Sequence, residues 1–304
     1  MSKWTTQNMP SQAGRTAVVT GTGGIGFEDA LALAKAKANV IIAGRNPDKG
    51  AEAVARIRQT APGARIRFGQ VDLGNLVSIA RFAQQLAAEE DQVDLLINNA
   101  GVMMPPKRQV TSDGFELQLG TNHLGHFALT AHLLPLLKKG KRPRVISLGS
   151  VAARNGAIDF ADLQAERAYN PMKVYSQSKL ACIMFAFELS RRSRQAGWGI
   201  ESLAAHPGIS RTDLIPNQAS RWSFNGIMRH AMPFLFQPAS QGALPTLYAA
   251  TDPQAQDGGH YGPDGLGGTR GYPTLERPPE RAQDIAVAAR LWEISEQLTK
   301  TSFR

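Results

Sequence analysis

Thr16-Ala-Val-Val-Thr20 runs directly into Gly21-Thr22-Gly23-Gly24-Ile25-Gly26. A short β-branched run, a glycine-rich turn and then a helical pattern read as a strand–turn–helix unit. Glycines at such a turn let the backbone approach a pyrophosphate, whose charge the helix N-terminus stabilises. A glycine-rich hexamer by itself is weak evidence, and a tight turn without ligand is the bland alternative. Its place straight after a first strand makes the dinucleotide reading specific.

The same alternation continues outward from this unit. Strands are expected at Thr16–Thr20, Asn39–Ala43, Arg65–Val71, Val93–Asn98, Arg144–Leu148 and Ile200–Ala205. Helical patterns lie between them near 27–37, 47–59, 75–90, 114–139 and 172–196. Several strands are apolar nearly throughout, as parallel strands covered on both faces must be. Strand and helix repeated this way imply an α/β fold, a Rossmann-like doubly wound parallel sheet flanked by helices. One domain is expected over 14–304, after a polar extension at 1–13. Residues 209–240 break the rhythm and 252–280 are rich in Gly and Pro, so both read as excursions from that one domain.

The composition, 42% hydrophobic and 19% charged over 304 residues, excludes a disordered chain. A net charge of +9 arises from 34 Lys and Arg against 25 Asp and Glu. The basic residues are scattered, and the densest runs, Lys138–Arg144 and Arg191–Arg194, are short enough to be solvated helix ends and loops. No zinc-finger or RNA-binding aromatic signature accompanies them, so no nucleic-acid partner is expected. The single cysteine, Cys182, excludes an intramolecular disulfide and favours a reducing compartment, the cytoplasm. Met1–Ala13 lacks an apolar h-region, so no secretory signal is expected. The longest apolar stretch, Phe127–Leu137, is broken by His132 and Pro135 and falls short of the ~20 residues that cross a bilayer. A soluble protein is the expectation.

Two places carry further chemistry. At the end of the second strand, Ala43-Gly44-Arg45-Asn46 offers no carboxylate for a free ribose 2′-hydroxyl. The Arg45 guanidinium suits a 2′-phosphate, which favours NADP(H) over NAD(H), unless Arg45 merely opens the next helix. Tyr175-Ser-Gln-Ser-Lys179 places a phenol and an ammonium four residues apart, on one face of a helix. A phenol of pKa about 10 is a poor acid–base catalyst near neutrality, and a nearby cation stabilises phenolate and brings it toward the working range. Ser150 follows the fifth strand, where the C-terminal ends of parallel strands gather ligands. Its hydroxyl could orient a substrate oxygen or cap a helix.

Taken together, these residues resemble the short-chain dehydrogenase/reductase family, in its retinol-dehydrogenase-like branch. The resemblance runs from Thr20 to about Leu298 through Thr20-Gly21 with Gly24-Ile25-Gly26, Asp72-Leu73, Asn98-Asn99-Ala100-Gly101, Asn122-His-Leu-Gly-His-Phe127, Ser150, Tyr175 to Lys179, and Pro207-Gly208. It implies that Tyr175 is the general acid for ketone reduction or the base for alcohol oxidation. Lys179 then holds the nicotinamide ribose and tunes Tyr175, Ser150 bonds the carbonyl oxygen, and Asn122 helps hold a water linking Lys179 to solvent. Gly21, Gly23, Gly24, Ile25, Gly26 and Arg45 belong to the cofactor site, with Asp72 and Leu73 near the adenine. Asn99, Ala100 and Gly101 lie near the adenosine ribose, and Pro207 and Gly208 border the nicotinamide.

This sequence departs from the family pattern twice. Only Thr22 and Gly23 separate Thr-Gly from Gly-x-Gly, where the family has three residues. The lost position often carries a polar side chain facing the adenosine phosphate. The usual Ser-Ser after the fifth strand is Gly149-Ser150, and the retained serine is the one the family uses.

His123 and His126 are three apart, but no carboxylate or cysteine cluster completes a metal site, and they are read as structural; no metal is expected. Ala219–Phe236 is rich in aromatic and aliphatic residues, with Arg221, Arg229 and His230 between. It could line a pocket, lie on a membrane surface or be core. The resemblance places a substrate lid after Pro-Gly, about 209–240, and so favours a bulky apolar substrate over membrane association. The helix around Cys182–Leu189 is apolar on more than one side, which means burial or a subunit interface. Family members often pair through this helix, implying a homodimer or homotetramer. The expected function is an NAD(P)(H)-dependent oxidoreductase that interconverts a bulky ketone or aldehyde and its alcohol. The alternatives are reduction of a carbon–carbon double bond and a non-catalytic dinucleotide-binding protein.

Overall fold

A computed structural model describes residues 3–210 and 237–304. Its centre is one eight-stranded sheet in the order β3-β2-β1-β4-β5-β6-β7-β8. The strands are β1 (Thr16–Thr20), β2 (Asn39–Gly44), β3 (Ile66–Gln70), β4 (Leu95–Asn98), β5 (Arg144–Leu148), β6 (Glu201–Ala205), β7 (His260–Gly265) and β8 (Arg270–Leu275). β1 to β7 pair in parallel and only β8 runs antiparallel, at the edge. The strand order reverses between β1 and β4, the switch point at which open α/β sheets bind ligands beyond their C-terminal ends.

Successive side chains on each strand serve opposite faces. Ala17, Val19, Val40, Ile42, Leu95 and Ile97 join one core with α1 (Gly24–Lys35) and α2 (Pro47–Thr60). Val18, Ile41, Leu96 and Val145 join the other with α3 (Leu76–Glu89), α5 (Gly125–Leu137) and α6 (Pro171–Ala196). All five residues of β1 are buried, which is why its sequence shows no polar alternation.

Short polar side chains start the helices by accepting orphan N–H groups. Asn46 caps α2 at Lys49, Asn75 caps α3 at Ser78, and Asn170 caps α6 at Lys173. α6 ends on Gly197 in the left-handed region, φ 65°, where a side chain is strained.

Three expectations change. The 252–280 stretch is no excursion from the sheet: its chain forms β7 and β8 and widens the sheet by two strands. Tertiary pairing imposes these strands on unpromising residues. Pro263 faces Pro273 at the sheet edge, where a missing donor is tolerated. The continuous helix expected over 114–139 is a one-turn α4 (Leu117–Leu119), a π-helical turn (Gly120–Leu124) and then α5. An additional helix, Ile285–Thr299, is capped by Asp284.

That last helix also explains α6. Ile183, Met184 and Ala186 share a core with Ala288 and Leu291, while Phe185 and Leu189 share one with Trp292. Of the two readings of Cys182–Leu189, burial accounts for its apolar faces within a single chain. The polar start of the chain is tied down as well: Trp4 donates to Asp252 at 2.8 Å and meets Tyr248 edge-on.

Candidate active site

The glycine turn is held from beneath by β4. Asn99 Nδ2 donates to the Thr20 carbonyl at 2.6 Å, and the Asn99 and Ala100 amides donate to Thr20 Oγ1 at 2.9 and 3.0 Å. Gly26 allows the turn to close, since a Cβ there would lie 2.4 Å from the Gly21 carbonyl oxygen. Gly21 adopts φ +99°, and a Cβ on it would lie 2.6 Å from Asn99 Nδ2. Unlike α2, α3 and α6, α1 has no side-chain cap, because its N-cap is Gly23. Its N-terminal amides are left to an anion.

Above this turn lies a cavity of about 720 Å³, lined in part by Gly21, Gly23, Gly24, Ile25, Arg45, Asn99, Ala100 and Gly101. A second, of about 470 Å³, shares Gly21, Arg45, Ala100 and Gly101 and adds Asp72 and Leu73. Of the cofactor residues expected from the sequence, Gly21, Gly23, Gly24, Ile25, Arg45, Asp72, Leu73, Asn99, Ala100 and Gly101 line these cavities at the switch point, whereas Tyr175 and Lys179 line neither. Gly26 serves the closure of the turn rather than the cavity wall. Pro207 and Gly208 line neither cavity and stand at the end of β6. Asp72 is also occupied locally, where Oδ1 accepts the Gly74 amide at 2.9 Å. Sequence reasoning passed over Lys49 and Arg56, cations of α2 that line the larger cavity beside Arg45. Arg56 stacks on Phe27, 4.3 Å from the ring centroid. An uncapped helix N-terminus, a glycine cradle and these cations fit a dinucleotide phosphate group.

The catalytic candidates meet at the same end of the sheet. Lys179 is buried, and its Nζ donates to the carbonyl of Leu148, the last residue of β5, at 2.9 Å. Tyr175 lies one turn earlier on α6 and is 7% exposed. Ser150 opens a 3-10 turn (Val151–Asn155), and its Oγ accepts the Ala152 amide at 3.2 Å, so it is a cap as well as a candidate substrate ligand. Gly156 presses this segment onto α6, as a Cβ there would lie 2.5 Å from the Ser176 carbonyl oxygen.

Asn122 sits in the π-helical turn and behaves as a brace. Its Oδ1 accepts the Val102 amide at 2.8 Å, and its Nδ2 donates to the Val102 carbonyl and to Ser178 Oγ at 3.0 and 2.9 Å. Gly101 lies alongside: a Cβ there would be 3.0 Å from Asn122 Oδ1 and 3.6 Å from Lys179 Nζ. The Asn122 carbonyl accepts from Cys182 Sγ at 3.1 Å and from His126 Nδ1 at 2.9 Å. Since that nitrogen donates, His126 Nε2 is the acceptor, and Thr20 Oγ1 donates to it at 2.9 Å. One imidazole therefore joins the glycine turn to Asn122.

Burial drives the His126 imidazole down to about 4, with Lys179 contributing, and burial drives His123 down to about 3. His123 bonds Ser295 Oγ at 2.8 Å. Both rings have structural partners. Burial also raises the Cys182 thiol, which argues against a reactive thiolate. The aromatic and basic residues of Ala219–Phe236 lie outside the described residues. The described residues on either side of 211–236 meet at one point: Ser210 Oγ and Gln237 Nε2 both donate to the Pro207 carbonyl, at 2.8 and 2.7 Å.

The family model described as short chain dehydrogenase matches residues 15–221. The chain is a short-chain dehydrogenase. Within that family it belongs to the retinol-dehydrogenase-like branch. It is 41% identical over 299 residues to mouse retinol dehydrogenase 13, covering 95% of this chain and 86% of the relative. It is 37% identical to mouse polyprenol dehydrogenase, covering 96% and 85% of the two chains. A solved structure of an uncharacterised protein from Mycobacterium paratuberculosis matches over 100% of both chains, at 38% identity and a TM-score of 0.81. The RhlG/NADP active-site complex of Pseudomonas aeruginosa matches over 82% of this chain and 94% of that one, at 25% identity and a TM-score of 0.65. This short-chain dehydrogenase is accordingly an NAD(P)(H)-dependent oxidoreductase. Among the described residues, no helix is long and apolar enough to cross a membrane.

Proposed function

We propose that this short-chain dehydrogenase interconverts a bulky apolar ketone or aldehyde and its alcohol, with NADP(H) as the preferred cofactor. The observation that carries the proposal is the Lys179 bond to the last carbonyl of β5, which sets the helix bearing Tyr175 against the strand end from which the Ser150 turn departs. Lys179 is bonded to the Leu148 carbonyl, Tyr175 lies one turn before it, and the Ser150 turn follows directly.

A bound nicotinamide supplies or accepts the hydride. The chain's own work is to hold the carbonyl oxygen and to move one proton. Ser150 Oγ donates a hydrogen bond to that oxygen and polarises it. Tyr175 gives its phenolic proton to the oxygen in reduction and takes it back in oxidation. The Lys179 cation stabilises the phenolate left behind and bonds the ribose, while Asn122 braces the chain beside it. Holding both reactants at near-attack distance supplies much of the acceleration.

NADP(H) is favoured because Arg45, Lys49 and Arg56 line one wall of the larger cavity, where a 2′-phosphate gains charge-assisted bonds. The bulky substrate is favoured by the names of two relatives, which specify the long apolar alcohols retinol and polyprenol. It is also favoured by the apolar composition of 219–236, within the stretch between Ser210 and Gln237, which meet at the Pro207 carbonyl.

Binding of NADPH and NADH followed by fluorescence, then turnover of a panel of bulky ketones, aldehydes, secondary alcohols and enones with product analysis, tests this function. Alcohol formation with NADPH is expected. Saturation of the enone double bond without carbonyl reduction, or binding without any turnover, would overturn it.

A further inference from the structure

His206 directly follows β6, immediately before Pro207-Gly208, and its side chain is 1% exposed. Gly208 N–H donates to His206 Nδ1 at 3.2 Å. A ring nitrogen that accepts carries no proton, so the proton of the neutral imidazole is on Nε2. Nε2 lies 2.8 Å from Glu276 Oε2 and donates to it. The three groups form a directed chain of carboxylate, imidazole and backbone amide, and the carboxylate selects the tautomer that the amide needs.

Glu276 follows β8, and its own amide donates to the His260 carbonyl at 2.8 Å. Burial, the largest influence, raises its carboxyl, but the His206 hydrogen bond together with the neighbouring His206, His260 and Arg154 holds it below the usual range. Arg154 approaches the same Oε2 at 3.6 Å and donates to the Gly267 carbonyl at 2.7 Å. Arg154 stands in the 3-10 turn that Ser150 caps. The cluster therefore spans the two segments that follow β5 and β6, using the β7–β8 hairpin as its anchor.

The hairpin is cut to fit. A Cβ on Gly262 would lie 2.2 Å from His206 Nε2, and one on Gly268 would lie 2.6 Å from Arg154 Nη2. Gly208 itself adopts φ +64°, and a Cβ on it would lie 2.3 Å from the Thr269 carbonyl oxygen. The Ile209 amide then donates to that same carbonyl at 2.7 Å.

We propose that His206, oriented by Glu276 and Arg154, is a positioning residue that sets the Pro207-Gly208 turn against the nicotinamide end of the cofactor and couples it to the Ser150 turn. This rests on the proposed reading in which Pro207-Gly208 borders the nicotinamide. His206 lines neither of the two cavities at the glycine turn. It acts through the Gly208 amide, so its effect is confined to the nicotinamide half of the dinucleotide.

Two amide substitutions separate the functions of the two ring nitrogens. In His206→Asn the side-chain oxygen takes the place of Nδ1 and still accepts from Gly208, while the Glu276 bond is lost. In His206→Gln the amide reaches the place of Nε2 and keeps Glu276, leaving Gly208 without its acceptor. Affinity is measured by titration with NADPH and with 2′-phospho-ADP-ribose, which lacks the nicotinamide; NADH and ADP-ribose replace them if the wild type prefers NADH. His206→Gln is expected to weaken the whole cofactor about tenfold, the effect of losing one buried acceptor, and His206→Asn to restore most of that affinity. Neither should change binding of the truncated ligand. Glu276→Ala, which releases the tautomer, should reproduce the selective loss and keeps the test available if the glutamine variant does not fold. Equal losses on both ligands, or a glutamine variant that binds the whole cofactor as the wild type does, would overturn the positioning role. A wild type that binds neither ligand overturns the dinucleotide reading beneath it.

Discussion

The Lys179 ammonium donates to the Leu148 carbonyl across 2.9 Å, joining α6 to the C-terminal end of β5. This single bond places a cation where the chain turns into Gly149-Ser150, one helical turn from Tyr175. Replacing Tyr175 with Phe removes the proton donor and leaves the ring. Turnover is expected to fall by about 10²–10⁴-fold with cofactor affinity retained, as for loss of a general acid. Steady-state rates beside a fluorescence titration check both halves, and wild-type turnover would show that the proton comes from elsewhere.

The glycine turn makes a steric prediction. Gly26→Ala would put a methyl 2.4 Å from the Gly21 carbonyl oxygen, and backbone cannot swing aside as a flexible side chain can. The turn must open, which costs about 1–3 kcal/mol, and both the melting midpoint and the cofactor affinity are expected to drop. An alanine variant that binds as tightly as the wild type would contradict the closure role of Gly26.

Arg45 governs cofactor choice if a 2′-phosphate occupies the wall it lines. A hydrogen bond to a charged group contributes about 1.5–3 kcal/mol, so Arg45→Ala is expected to weaken NADPH by about 10–150-fold. NADH, which lacks that phosphate, should be nearly unaffected. Parallel titrations decide, because equal losses for the two would remove Arg45 from the 2′-phosphate site.

Stability should depend on pH through buried groups of opposite sign. Burial pushes His123 and His260 to about 3 and His126 to about 4, whereas a histidine ordinarily titrates near 6.5. Between these values the unfolded chain binds more protons than the folded one. Folded stability therefore falls as pH drops below 6.5, with a limiting slope of about 1.4 kcal/mol per pH unit for each ring. Asp29 works the other way. Burial holds its carboxyl well above 3.8, so its contribution is complete below that value and is lost as pH rises toward its raised value. Denaturant midpoints measured from about pH 8 down to about pH 4.5 should trace both limbs. His123→Gln should flatten the acidic one and Asp29→Asn the other; unchanged slopes in both variants would refute the assignments.

Much of the architecture was legible because it is local. β1, β2, β4 and β5 announce themselves through largely apolar runs that are buried almost throughout, and the caps Asn46, Asn75 and Asn170 stand where the helical patterns begin. β7 and β8 carry no such signal. His260–Gly265 pairs with β6 through only Ala204 and Ala205, and its conformation comes from neighbours rather than from its own residues. The helix Ile285–Thr299 did leave a trace, with Ala288, Leu291, Trp292 and Ser295 on one stripe behind the Asp284 cap. Its presence turns the two-sided apolarity of α6 into ordinary burial.

The site divides in the same way. Tyr175 and Lys179 share a helix face and the glycines share a turn, so covalent geometry over a few residues determined their chemistry before any folding was considered. Only the tertiary structure decided which nitrogen of His206 bears a proton, because the deciding carboxylate stands 70 residues away, just beyond β8. It alone also showed that Thr20, His126 and Asn122 form one hydrogen-bonded path. Short-range periodicity is written into adjacent residues, whereas a hydrogen-bond partner brought in by sheet order has no signature until the strands assemble.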